Sequence, residues 1–218
     1  MTTRTAARAE LDDRSATQQR VADLRRQAET DAAAARNLAW AWFEDLGRDA
    51  RRDYSPAAIA AMDDLFAEGT VPTRIAGPQD GLILTWGADK RQVTLFNPTL
   101  RATVPWVGKT FEPDTNTGFQ RLTGWRKYLT PWVLAVAINA LIREHGRPGP
   151  FTTRVEPGAI EPAPDVLVLD YNLPESLPPA RKVRDELVEI VPGAYFGRAL
   201  SRTRAGWTVA AYFALRQP

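Results

Sequence analysis

Residues 184–198 read Arg-Asp-Glu-Leu-Val-Glu-Ile-Val-Pro-Gly-Ala-Tyr-Phe-Gly-Arg, and this stretch decides the fold class. Two runs rich in apolar and aromatic residues, 187–191 and 194–200, flank Pro192-Gly193, a pair that is typical of a tight turn. The stretch therefore predicts two neighbouring strands of a closed antiparallel β structure. It contains no recognisable catalytic or cofactor motif.

Short segments of similar texture follow one another from residue 70 to residue 218. Turn signals such as Gly-Pro and Asn-Pro separate them. The predicted strands span 71–76, 81–86, 91–96, 100–104, 106–111, 151–155, 166–171, 187–191, 194–200 and 207–215. About eight to ten short strands at this spacing predict a barrel or a sandwich, and hence a mainly β domain.

A long helix is predicted before the β region. Ser15 and Gln18 have the spacing of a capping box, and an apolar stripe then continues from Val21 to about Leu46. Gly47 is the predicted stop of this helix.

Two further helices complete the prediction. Ser55 followed by Pro56 indicates a helix start, and this helix is expected to end at Gly69. Residues 1–69 would then form an N-terminal helical hairpin that packs outside the barrel or against its counterpart in a homodimer. A helix over 131–145 is apolar on every side, which predicts that it is buried.

Composition excludes several kinds of site. The chain has no cysteine, which excludes disulfides, zinc–thiolate sites, iron–sulfur clusters and cysteine nucleophiles. His145 is the only histidine, so neither a multi-histidine metal site nor a Ser-His-Asp triad can form. Glycine fingerprints for nucleotide phosphates are missing as well. We therefore expect no metal, flavin, nicotinamide or other cofactor.

Charge and hydropathy limit the partners. Lys and Arg number 28 and Asp and Glu 26, so the net charge is only +2, and nucleic acid is not an expected partner. The N-terminus lacks the apolar core of a signal peptide, and the longest apolar run, 132–142, is too short for the ~20 residues that cross a bilayer. We expect a cytoplasmic protein without a membrane span.

Several positions carry a resemblance to a known group of proteins. They are Trp-x-Gly-Lys-x-Phe at 106–111, Asp170-Tyr171, Pro174, Arg184-Asp185, Gly197 and Tyr212-Phe213-Ala-Leu215. Through them, residues 70–218 resemble the lipocalin-like, calycin-type small barrels of the GXWXG and DUF4334 kind. Pro105 and Lys109 depart from the family pattern. The resemblance implies an antiparallel barrel with a hollow interior, and it implies no particular activity.

Arg184, Asp185 and Glu186 are the candidate catalytic residues. They place one cation beside two carboxylates, on a segment near 179–186 that the sequence predicts to be a short helix. Such a cluster can supply a general acid or base if it faces a cavity, because burial raises the pKa of a carboxyl group towards neutrality. The alternative is a surface helix turn with local ion pairing.

A second set of residues is predicted to bind a ligand: Trp106, Lys109, Phe111, Asn116, Tyr171, Tyr195 and Tyr212. Alternation places Trp106 and Lys109 on opposite faces of their strand. An inward Lys109 would need a carboxylate partner such as Asp170 or Glu186, whereas an inward Trp106 would form a cavity wall and leave Lys109 solvated. Asn116 tolerates a left-handed backbone in a turn, where its amide could hydrogen-bond a ligand carbonyl.

Two functions are compatible with these features. The first is a binding module for a small apolar or amphipathic molecule, which seven tryptophans would suit, although aromatic residues also fill cores. The second is a cofactor-independent cyclase or isomerase that folds a polyketide- or terpenoid-type substrate inside the barrel. In both, the expected cavity has four aromatic walls, two charged groups and the 131–145 helix near one mouth. The walls are Trp106, Tyr171, Tyr195 and Tyr212, and the charged groups are Lys109 and Arg184.

Overall fold

The structure is a computed structural model that describes most of the chain. The described backbone covers residues 2–52, 55–87, 106–122, 148–160, 164–174, 176, 178 and 180–218, with side chains from residue 14 onward. The strands predicted at 91–96 and 100–104, and the helix predicted at 131–145 together with His145, lie outside the described residues.

Three α-helices of the described part precede the first strand: α1 (Thr2–Thr30), α2 (Ala32–Arg52) and α3 (Pro56–Ala67). The prediction of one helix across the α1 and α2 region is therefore wrong. α1 runs through the predicted capping box at 15–18, because the residues before the box also favour a helix. The break comes at Asp31, whose carboxylate Oδ1 accepts the backbone N–H of Ala34 at 2.9 Å and caps α2.

Gly47 lies inside α2 and does not terminate it. A Cβ atom at this position would stand 3.0 Å from the Cα atom of Leu84, so glycine allows the helix to approach the barrel closely. The start of α3 is confirmed, since Ser55 Oγ accepts the N–H of Ala58 at 3.2 Å and Pro56 opens the helix. None of the helices in the described part combines the length and the apolar composition that a bilayer span requires.

Eight antiparallel strands of the described part form a closed barrel, in which each strand pairs with the next and the last pairs with the first. They are β1 (Gly77–Trp86), β2 (Trp106–Glu112), β3 (Thr117–Leu122), β4 (Phe151–Pro157), β5 (Asp165–Asp170), β6 (Val183–Val191), β7 (Ala194–Thr203) and β8 (Gly206–Arg216). The prediction of a mainly β antiparallel barrel with helical additions is confirmed.

Two details of the strand prediction are wrong. Residues 71–76 form no strand, although Thr70 makes an isolated bridge to Glu189. β3 is not among the predicted strands, because the sequence at 116–118 resembles a turn. The turn lies earlier, in a short 3-10 helix at Pro113–Thr115, and Asn116 follows it in the left-handed region at φ 51°. A left-handed backbone at Asn116 agrees with the sequence.

Strand alternation divides the apolar side chains between two clusters. The outward cluster of the barrel packs against the helices, with the rings of Phe43 and Phe196 centred 5.4 Å apart. The inward cluster includes Phe111, Phe151 and Phe213. The helices thus cover the barrel from outside, and the inward cluster occupies part of its interior.

Candidate functional site

A cavity of about 320 Å³ lies inside the barrel. Its walls are mainly apolar, and the described apolar residues that line it are Ile83, Trp86, Ala180, Val183, Ala199, Ala211 and Phe213. The volume is at the small end of the range of about 300–1,000 Å³ for ligand pockets. The cavity can therefore hold one small molecule.

One side of the cavity carries five hydrogen-bonding residues, Trp106, Lys109, Gln120, Tyr171 and Asp185, which we call the interior polar cluster. Lys109 Nζ donates to Asp185 Oδ2 at 2.8 Å and to the Tyr171 hydroxyl at 2.6 Å. It also donates to Gln120 Oε1 at 3.1 Å, an oxygen that accepts Trp106 Nε1–H at 2.7 Å. The Tyr171 hydroxyl donates to Asp185 Oδ2 and accepts from Gln120 Nε2, both at 2.7 Å. A buried ion pair therefore lies at the centre of the cluster.

A bulge in β2 explains why Trp106 and Lys109 both line the cavity. The register of β2 against β3 shifts between Trp106 and Gly108, so two steps of β2 face one step of β3. Gly108 has a φ of 142°, and a Cβ atom there would stand 2.0 Å from the carbonyl oxygen of Gln79. The expectation that only one of the two side chains faces inward is wrong, because the bulge resets the alternation between them.

Burial shifts the pKa values of Lys109 and Tyr171. Removal from water lowers the pKa of Lys109, and the carboxylate of Asp185 opposes this change. Burial first and Asp185 second raise the pKa of Tyr171 well above its ordinary value. The rings of Trp106 and Phe213 are centred 5.6 and 5.2 Å from Lys109 Nζ, where their faces favour a cation. The pKa values of Lys109 and Tyr171 therefore depend on burial and on the neighbouring carboxylate of Asp185.

Burial and the neighbouring Asp185 raise the pKa of Tyr171 well above its ordinary value, so Tyr171 is expected to keep its proton where the unfolded chain releases tyrosine protons, near pH 10. The contribution of Tyr171 to the free energy of unfolding is therefore complete below about pH 10 and falls as the pH rises further. Between neutral pH and the pH at which the unfolded chain has ionised its tyrosines, the absorbance of phenolate at 295 nm should increase equally in the native protein and in Tyr171→Phe. After unfolding in guanidinium, the native sequence should give one phenolate more. The same excess in the folded state would contradict the prediction.

The three predicted catalytic residues lie on a strand. The short 3-10 helix Ala180–Lys182 gives way to β6 at Val183, so the predicted helix near 179–186 is wrong. Successive residues of a strand point to opposite faces, which separates Asp185 from its two neighbours. Asp185 enters the cavity, whereas Arg184 and Glu186 lie on the outer side of the barrel.

Arg184 and Glu186 belong to an outer ion-pair network. Arg184 pairs with Glu156 at 2.9 Å, and Glu186 is held between Arg184 at 3.0 Å and Arg198 at 2.8 Å. Arg184 is therefore not a charged group of the cavity, contrary to the prediction. Nor does either predicted partner bind Lys109, since Glu186 is engaged by arginines and Asp170 pairs with Arg154 at 2.7 Å.

The predicted aromatic walls are only partly brought together. Trp106 and Tyr171 line the cavity, whereas Tyr212 faces outward and donates its hydroxyl proton to Asp63 of α3 at 2.6 Å. Tyr195 belongs to the inward cluster but bonds the carbonyl oxygen of Arg74 at 3.2 Å. The expected positions of Tyr195 and Tyr212 in the cavity wall are wrong.

Two other predicted ligand-binding residues also lie away from the described lining. Phe111 packs on Phe151 in the inward cluster, with ring centres 5.4 Å apart. Asn116 is exposed in the loop between β2 and β3.

Gln120 lines the cavity but is not among the predicted site residues, because its strand was not predicted and a lone Gln carries no motif. Within the described part, no three His, Asp or Glu side chains converge in a way that could hold a metal ion.

Comparisons with known proteins leave the function to be argued from the site. No family model and no curated protein matches the sequence. A solved structure of a protein from Thermomonospora curvata is 13% identical, and the alignment covers 72% of this chain and 84% of that chain at a TM-score of 0.34. A similarity this low carries no argument about fold or function.

Proposed function

We propose that the protein binds a small apolar or amphipathic molecule inside the barrel. The observation that supports this function is a mainly apolar cavity of about 320 Å³ with polar groups gathered on one side. Eight-stranded up-and-down barrels leave an interior wide enough for side chains or for one small ligand, as in lipocalins. Apolar walls would bury the body of the ligand, and the interior polar cluster would orient it.

The buried ion pair supports a binding role over a purely structural one. A buried pair such as Lys109–Asp185 often stabilises a protein less than apolar residues of similar size would, because both ions lose their hydration. Here the pair lines a cavity, where its charge is available to a bound molecule. The lipocalin-like, calycin-type resemblance of residues 70–218 agrees with the proposal.

Filling the cavity is expected to weaken binding strongly. Ala199 and Ala211 pair across β7 and β8 and form an open part of the wall. Ala211→Phe would project a ring into the cavity and should weaken binding of the neutral dye N-phenyl-1-naphthylamine at least about tenfold, because a ligand cannot share that volume. Thr208→Phe, at an exposed position of the same strand, is the matched control and should bind normally. Dye fluorescence measures the affinity of both variants. Equal affinities of Ala211→Phe and Thr208→Phe would mean that the dye binds outside this cavity.

A second candidate function is a cofactor-independent isomerase or cyclase for a polyketide- or terpenoid-type substrate. It is favoured by the carboxylate, hydroxyl and ammonium groups that meet in one apolar cavity, since a carboxylate can accept a proton and the other two groups can donate one. Mass spectrometry of molecules that copurify with the protein separates the two functions. Recovery of one unchanged compound after long incubation supports binding. Conversion that requires Lys109 and Asp185 supports the enzyme.

A further inference from the structure

The interior polar cluster uses most of its hydrogen-bonding capacity internally. The ammonium group of Lys109 has three hydrogens, and the cluster accepts one at each of Gln120, Tyr171 and Asp185. The Tyr171 hydroxyl donates once and accepts twice. Neither Lys109 nor Tyr171 therefore has a hydrogen left to offer a ligand.

Two residues of the cluster have a hydrogen-bonding position that no described residue uses. Asp185 accepts both of its described hydrogen bonds through Oδ2, which leaves Oδ1 without a described donor. Gln120 donates one of its two amide hydrogens, to Tyr171. Both residues line the cavity, and the side chain of Asp185 keeps 6% of its surface exposed there. The cavity thus offers a ligand one anionic acceptor and one neutral donor.

We propose that the ligand is an alcohol, namely a neutral hydroxyl group on an apolar skeleton. The hydroxyl proton would be donated to Asp185 Oδ1, and the hydroxyl oxygen would accept the free amide hydrogen of Gln120. A carboxylate head group would instead meet the anionic Oδ1 and find every ammonium hydrogen of Lys109 already bonded, so the site disfavours ionised carboxylates. This inference rests on the proposed binding function and specifies its ligand class.

Three probes with one shared skeleton test the ligand class by titration calorimetry: 2-naphthol, 2-methoxynaphthalene and 2-naphthoate. The methoxy compound differs from the alcohol mainly by the missing donor. Because a hydrogen bond to a charged acceptor is among the stronger ones in proteins, 2-naphthol should bind at least about tenfold more tightly than 2-methoxynaphthalene. 2-Naphthoate should bind most weakly of the three.

The variant Lys109→Met/Asp185→Leu supplies the residue-level test. It removes the acceptor together with its cation, so the affinity ratio between 2-naphthol and 2-methoxynaphthalene should fall to about one. Thr208 is exposed, so the variant Thr208→Phe should keep the affinity ratio of the native protein. A ratio that persists in the double variant would show that Asp185 is not the acceptor.

The outcomes separate the ligand class from the binding function. Binding of 2-naphthoate as tight as that of 2-naphthol overturns the alcohol assignment but leaves the binding function standing, provided that Ala211→Phe weakens both probes. Failure of all three probes to bind, together with failure of the neutral dye, overturns the binding function and the alcohol assignment with it.

Discussion

Asp185→Leu is expected to lower the free energy of unfolding by about 3–5 kcal/mol at neutral pH, the effect of removing one member of a buried ion pair. The side chains of Lys109 and Asp185 are 3% and 6% exposed, so the ammonium group of Lys109 would keep little hydration once the carboxylate is lost. The Tyr171 hydroxyl loses its acceptor in the same step. A domain is stable by only about 5–15 kcal/mol, so the loss should be large in urea unfolding.

The double variant Lys109→Met/Asp185→Leu should recover most of this loss. It removes both ions and replaces them with apolar groups, which is often neutral or stabilising. Asp170→Leu is the matched control, because its ion pair with Arg154 is partly exposed and should contribute about 1 kcal/mol or less. If the double variant is no more stable than Asp185→Leu, the uncompensated ammonium is not the cause of the instability.

Gly108→Ala should lower the free energy of unfolding by roughly 2–5 kcal/mol, from backbone strain together with a steric clash. The φ of 142° disfavours any side chain, and the added Cβ atom would stand 2.0 Å from the backbone oxygen of Gln79. That oxygen belongs to a paired strand and cannot move aside as a flexible side chain does. The bulge that carries Trp106 and Lys109 into the cavity would therefore be disrupted.

Gly206→Ala is the control for strain alone. Its φ of 121° is similar, and nothing lies within 4 Å of an added Cβ atom. We expect a loss of about 1–2 kcal/mol in urea unfolding, clearly less than for Gly108→Ala. Equal losses in the two variants would mean that the contact with Gln79 does not constrain the bulge.

The fold was predictable because its signals are local and repeated. Residues 184–198 contain most of the β6–β7 pair together with its Pro-Gly turn, and seven of the eight strand pairings of the described barrel join strands that follow one another along the chain. The helices were less predictable, because a break at Asp31 and an interior Gly47 depend on capping and on packing against the barrel. A local capping hydrogen bond marks the break at Asp31, whereas close packing against the barrel explains Gly47.

The residue types of the candidate site were predictable from the sequence. The strand face on which each side chain lies was not. Trp106, Lys109, Tyr171 and Asp185 were all selected from the sequence, and the structure brings them to one cavity. Their arrangement depends on a bulge and on the residue where β6 begins, and one residue of error in either reverses which side chains point inward. Such an error accounts for the incorrect prediction that Arg184 lies inside the barrel.

The contact between the helices and the last strands sets the order in which the chain can fold during synthesis. Arg25 of α1 bonds the backbone oxygen of Ile190, which lies 165 residues further along the chain. A ribosome that adds about 5–20 residues per second needs roughly 10–30 s to make that segment. Throughout this interval Trp40, Trp42 and Phe43 of α2 have no barrel to cover them, and β1 cannot yet pair with β8. The helices emerge first but complete their packing last, so the nascent chain carries an uncovered apolar surface until translation is almost finished.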